Sequence, residues 1–168
     1  MTMPSIILVL HNIRSCHNVG SLLRSADGFG VKTVYFSGIT PYPKIHDDPR
    51  LPHLKSKISK QISKTALGAE KTLEILVFED LSEVTKKLKS EGFTIAAIEQ
   101  STTSVRLPDF SPPDKLALVL GNEIDGLPKQ EIELCDVCLE IPMHGNKESF
   151  NVSVAGAVAL YQITTPRH

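Results

Sequence analysis

Three stretches of this chain join polar, chemically capable residues to the glycines and prolines that open a backbone to a ligand. In LALVLGNEIDGL (116–127) an aliphatic run stops at Gly121, and Asn122, Glu123 and Asp125 follow in a turn closed by Gly126. A strand that ends on glycine lets a ligand approach its backbone. In LEIPMHG (139–145) a second aliphatic run leaves through Pro142, which removes a backbone donor and fixes the exit direction. In ESFNVSVAGAVALY (148–161) Ser149 and Asn151 open a helix of very small residues, a face suited to close approach by another element or another subunit. Carboxylate, hydroxyl and amide groups on such loops can orient a ligand and hold or move a proton. Near the start, Asn18 and Gly20 are read as opening a helix whose amides favour an anion, with Arg24 placed to complete a phosphate site. Each group also has a plain structural reading: Arg24 as a surface arginine, residues 121–126 as a strand-to-helix connection, His144 as a loop histidine. Spacing alone leaves these alternatives open.

Other chemistries find less support. The chain has no GxxxxGK[ST] phosphate loop, no GxGxxG after its first strand, no GxSxG and no HExxH. Cys135 and Cys138 form a C-x-x-C pair, but a structural zinc site needs four ligands and no second pair is suitably spaced, so no metal is expected. Cys16 lies beside His17 without a third, orienting group, which a nucleophile would need.

The elements that must carry these residues follow from hydropathy. Ser5–Leu10 is a continuous buried-strand run, residues 19–30 keep helical spacing with Asn18 as N-cap, and Lys32–Ser37 reads as a strand. Strand, helix and strand in about thirty residues make a βαβ unit, hence a parallel sheet. Alternation resumes with strands at Ile75–Phe78, Phe93–Ile98, Leu116–Leu120 and Val137–Ile141, and with helices over Leu81–Ser90, from Pro128, and from Ser149. The expected fold is α/β, an open and mainly parallel sheet with helices on both faces. Residues 38–52 carry four of the eleven prolines and read as an irregular, substrate-facing lid.

At 168 residues the chain reads as a single domain, with no appended domain expected. Its 41% apolar and 22% charged residues are those of an ordinary globular protein. No run approaches the roughly 20 apolar residues of a membrane span, and the N-terminus lacks the marks of a signal peptide, so the cytosol is the expected compartment. A net charge of −1 neither demands nor excludes a nucleic acid. Clustering is more telling, since Arg50, Lys55, Lys57, Lys60 and Lys64 lie in a stretch with no acid before Glu70. The run at Lys86, Lys87 and Lys89 is flanked by Glu83 and Glu91 and reads as a solvated helix face.

Taken in order, these segments resemble the SpoU/TrmH family of the SPOUT RNA methyltransferases. The first family motif is matched by Asn18-Val-Gly20, Arg24 and Ala26 through Gly30, the second by Leu120–Glu123 with Gly126-Leu127, and the third by Ile141–Met143, Ser149-Phe150-Asn151-Val152 and Ala155. The resemblance implies a trefoil knot near the C-terminus, which unaided reasoning would not propose because threaded chains are so rare. It implies S-adenosylmethionine as cofactor, held by Ile98, Gly121, Ile141, Ser149 and Phe150, and a homodimer. It also implies methyl transfer to a ribose 2′-hydroxyl of RNA. Arg24, Asn18, Glu123, Ser149 and Asn151 would then be the catalytic set, and Arg24 with Arg50, Lys55, Lys57, Lys60 and Lys64 would meet the RNA. Members of this minimal size tend to act on transfer RNA, so tRNA is favoured over rRNA. The rival readings are a ribosomal-RNA enzyme, an RNA-binding protein of the same fold without turnover, and methylation of a base atom.

Overall fold

The computed structural model describes residues 3–165. In chain order the elements are β1 (Ser5–His11), α1 (Cys16–Gly28), β2 (Thr33–Ser37), α2 (Pro52–Ala66), β3 (Glu74–Phe78), α3 (Leu81–Ser90), β4 (Thr94–Ile98), β5 (Val105–Arg106), β6 (Lys115–Leu120), α4 (Lys129–Ile132), β7 (Val137–Glu140) and α5 (Val152–Thr164). The strands form one seven-stranded sheet in the order β3-β2-β1-β6-β4-β7-β5, and every paired neighbour runs parallel. Both faces are covered, which is why β1 and β6 are apolar at successive positions rather than at alternate ones. Ile6, Leu8 and Leu10 pack with α1, α2 and α5, whereas Ile7 and Val9 pack with α3.

Two helix starts differ from expectation. The first helix begins at Cys16 with Ser15 as its N-cap, whose side chain accepts from the Asn18 N–H, so Asn18 and Gly20 sit inside the helix instead of opening it. Serine is as good a cap as asparagine, and a short polar run offers both. The last helix begins at Val152 with Asn151 as N-cap, three residues later than the Ser149 expected. Gly20 has a packing role: a Cβ there would lie 2.3 Å from the Ile62 carbonyl oxygen, so its absence lets α1 and α2 touch. Gly156 does the same for α5, where a Cβ would meet Leu22 at 2.4 Å and Leu120 at 2.8 Å.

The basic stretch is a helix, α2, which charge alone had not revealed. The expected lid is a stapled loop. Arg50 donates to both Asp48 carboxylate oxygens and to the carbonyls of Tyr42 and Pro43, and its guanidinium lies 3.6 Å from the centre of the Tyr42 ring. Lys55 adds a bond to the Asp48 carbonyl. Arg50 sits beside Asp48 and holds its carboxyl well below the usual carboxylate range. A guanidinium with its donors spent on the loop and its face on a ring is an internal fastener, so Arg50 does not fit the RNA-facing role expected of it.

Candidate active site

The carboxyl ends of β6, β4 and β7 are neighbours in the sheet although far apart in sequence. Open α/β sheets bind ligands at such ends. Here a cavity of about 280 Å³ opens among the three turns that follow them. Ile98, Gly121, Ile141, Ser149 and Phe150 all line it, so the structure gathers at one place the five residues expected to hold a cofactor. The apolar part of the wall includes Leu120, Met143 and Val152, and the polar part Glu99, Asn122 and Glu123. Gly121 has a packing role as well. A Cβ there would meet Leu127 at 2.7 Å and Gly126 at 2.9 Å, so the glycine also lets the loop fold back on itself.

The loop after β6 is built by Asn122. Its side-chain oxygen accepts from the N–H groups of Ile124 (2.9 Å) and Asp125 (3.0 Å), and its amide donates to the Asn12 carbonyl at 2.9 Å. Asn12 sits in the left-handed region at φ 53°. His11 anchors that corner: it is buried and bonds Ser37 at 2.8 Å and Glu131 at 2.9 Å. Spacing gave no hint of this anchor, because His11, Ser37 and Glu131 come from three elements.

So held, Glu123 reaches the N-terminus of α1. Its carboxylate accepts from the N–H groups of Arg14 (3.0 Å) and Ser15 (2.9 Å) and from the Asn18 amide at 3.3 Å. Burial raises the Glu123 pKa, but these donors outweigh it and hold the carboxyl below its ordinary value. The anion that the α1 terminus favours is therefore supplied by the protein itself, where the sequence suggested a phosphate. Asn18 also accepts from the Asn151 amide at 3.3 Å, and Asn151 caps α5 by accepting from the Ser153 N–H at 2.9 Å. Three of the five expected catalytic residues thus form one chain, Asn151–Asn18–Glu123, beside the cavity.

Ser149 lines the cavity and is exposed. Arg24 joins neither group. Six residues beyond Asn18, it is about 9 Å along the helix and 120° around it. It is exposed and makes no hydrogen bond or ion pair within the described residues. Lys57, Lys60 and Lys64 are exposed along one side of α2, at spacings of three and four, while Lys55 is half-buried. Burial pushes the Cys135 thiol up to about 12 and raises those of Cys16 and Cys138, so none is an activated nucleophile.

Glu99 and Gln100 were missed by the sequence reading. Glu99 lines the cavity, its carboxylate accepting from the Gln100 N–H at 2.9 Å and the Leu127 N–H at 3.1 Å. The Gln100 side chain donates to the Glu148 carbonyl at 2.8 Å and fastens the 141–151 loop over the cavity. Both follow a strand end that had been recognised, and the residue just beyond such an end is the place to look.

This geometry agrees with comparison to known proteins. Residues 5–161 match the SpoU rRNA Methylase family. The chain belongs to that family. It is 34% identical over 164 residues to the 23S rRNA (guanosine-2′-O-)-methyltransferase RlmB of Neisseria meningitidis, covering 98% of this chain and 60% of that protein. The RlmB of Xylella fastidiosa is 35% identical, with 97% and 59% covered. The chain thus spans about 60% of the length of these curated relatives. Among solved structures, the A. aeolicus TrmH/SpoU tRNA modifying enzyme superposes with a TM-score of 0.78 at 25% identity, covering 96% of this chain and 75% of that one.

Proposed function

We propose that this SpoU-family protein is an S-adenosylmethionine-dependent methyltransferase of an RNA ribose 2′-hydroxyl. The observation that carries the reading is the single cavity at the ends of β6, β4 and β7, lined by all five residues that the family resemblance assigns to the cofactor. Its lining suits such a group, with aliphatic side chains for an adenine and backbone and carboxylate groups for its polar parts. When bound, the cofactor supplies an electrophilic methyl group. The protein's residues then have to hold a weakly nucleophilic hydroxyl in line and help it lose its proton. Alignment can lower such a barrier by about 7–11 kcal/mol, and a positioned base adds about 10²–10⁴-fold. Asn18, held by Glu123, and Asn151, bonded to Asn18, would orient the ribose, and Ser149 would brace the cofactor. Arg24, exposed and without a partner within the described chain, is available to an RNA phosphate and would position the substrate. Proton removal by a guanidinium is disfavoured because the group holds its own proton at neutral pH.

Ribosomal RNA is the favoured substrate. Transfer RNA was expected from size, but the relatives at 34–35% identity are named for 23S rRNA, which is a more direct indication than chain length. The homodimer is supported by an apolar stripe of Phe150, Val154, Val158 and Tyr161 on and before α5, each at least 37% exposed. Such a stripe suits a second copy of the chain. The trefoil knot belongs to the same reading. In its favour, β7 follows β4 and β5 in sequence yet lies between them in the sheet.

The test is to incubate the protein with labelled S-adenosylmethionine and total RNA and to map the modified nucleotide. Methyl transfer to a ribose hydroxyl is expected, and Arg24→Ala should abolish it while cofactor affinity stays nearly unchanged. Equal turnover by that variant would remove Arg24 from the mechanism, and label on a base atom would overturn the reaction class.

A further inference from the structure

The wall of the cavity is one-sided in charge. Glu99, Glu123, Asp125 and Glu148 line it, and among the described residues no lysine, arginine or histidine does. The four acids are not equivalent. Glu123 is committed to the α1 terminus through Arg14, Ser15 and Asn18. Asp125 and Glu148 are exposed to solvent, which screens them. Glu99 is half-buried and has no cation within ion-pair distance among the described residues.

Its position is built. The N–H groups of Gln100 and Leu127, from two different turns, each take one of its oxygens and fix the plane of the carboxylate. Gly126 makes room for it: a Cβ there would lie 2.1 Å from the Glu99 Oε2 atom, and the glycine sits at φ +65°. One hydrogen bond to each oxygen leaves further acceptor capacity, since an ionised carboxylate has about four lone-pair sites. A carboxylate held rigidly in a cavity wall without a counter-cation is a site for a positively charged ligand.

We propose that Glu99 is a cofactor-binding residue that reads charge, so that the cavity holds the cationic methyl donor more tightly than the neutral thioether left after transfer. The inference rests on the methyl-donor reading above and adds to it a means of exchanging spent cofactor for fresh. Methyl transfer removes the sulfonium charge, leaving the α-ammonium as the remaining cation on the amino-acid end of the cofactor, and so weakens the attraction to Glu99. The difference is expected to be about tenfold in affinity, near the lower end of the range that one charge pair spans between bulk water and a half-buried protein site.

The test is calorimetric and does not depend on turnover. The intact chain and its Glu99→Gln variant are titrated with S-adenosylhomocysteine, which is neutral at sulfur, and with sinefungin, which carries an amine there. The intact chain should bind sinefungin about tenfold more tightly. Glu99→Gln should lose about tenfold for sinefungin and less than about threefold for S-adenosylhomocysteine. Equal losses would show that Glu99 only braces the loop and would overturn the proposal. Should the variant fail to fold, the two affinities of the intact chain decide, because equal values overturn the proposal by themselves. Binding of neither ligand would overturn the methyl-donor reading along with it, whereas binding of both without discrimination would overturn this inference alone.

Discussion

Glu123 shows how one side chain can serve the loop and the helix at once. Its carboxylate ends a loop built by Asn122 and begins α1 by accepting from Arg14 and Ser15. Because its pKa is lowered on folding, the stability it contributes is fully present above the unfolded value, about pH 4.3, and is lost as pH falls through the lower folded value. Glu123→Gln is therefore expected to cost about 1 kcal/mol at pH 7, a figure reduced for its partial exposure. The gap from the parent should close below about pH 4. Chemical unfolding followed across pH checks this, and a gap that persists in acid would mean that the carboxylate charge is not what counts. Asn18 follows the same logic, since it is bonded on one side to Glu123 and on the other to Asn151. The sequence identified all three residues but not their bonds to one another, because a hydrogen-bond partner more than a hundred positions away leaves no mark on local spacing.

Among the elements, α2 and the loop before it divide one basic segment into two jobs. Arg50 and Lys55 point back into the loop and hold it, while Lys57, Lys60 and Lys64 face solvent. Arg50→Ala should destabilise the protein by about 1–3 kcal/mol, since it leaves the buried Asp48 carboxylate without its partner. Thermal unfolding would measure that, and an unchanged midpoint would return Arg50 to the RNA surface. Replacing both Lys57 and Lys60 by alanine should leave the midpoint nearly unchanged and weaken RNA binding. It should also flatten the salt dependence by about 1.4 in slope, at about 0.7 per phosphate for a single strand. An unaltered slope would place the RNA footprint elsewhere. Charge counting grouped these five residues because it sees composition, whereas the helix start at Pro52 decides which of them can turn outward.

For the molecule as a whole, the parallel sheet sets where chemistry can happen. All seven strands run the same way, so all their carboxyl ends open on one side. Three neighbouring ends there make the cavity, and α1 and α5 deliver Asn18 and Asn151 beside it. The proposed dimer belongs to this scale. Tyr161→Glu on the exposed α5 stripe should shift the protein toward monomer in sedimentation at micromolar concentration, because it buries a charge in an apolar contact. An unchanged sedimentation coefficient would move the interface to another face.

By itself the sequence determined the βαβ architecture, the strands that end at the site and the loops that carry its residues, since burial on two sides writes continuous apolar runs and turn chemistry writes glycine and proline at their ends. Only the tertiary structure decided that β6, β4 and β7 are neighbours, that Glu123 rather than a phosphate meets the α1 terminus, and that Glu99 stands uncompensated in the cavity wall. Strand order and side-chain partners across long separations are set by how whole elements pack, and no local pattern of residues records that.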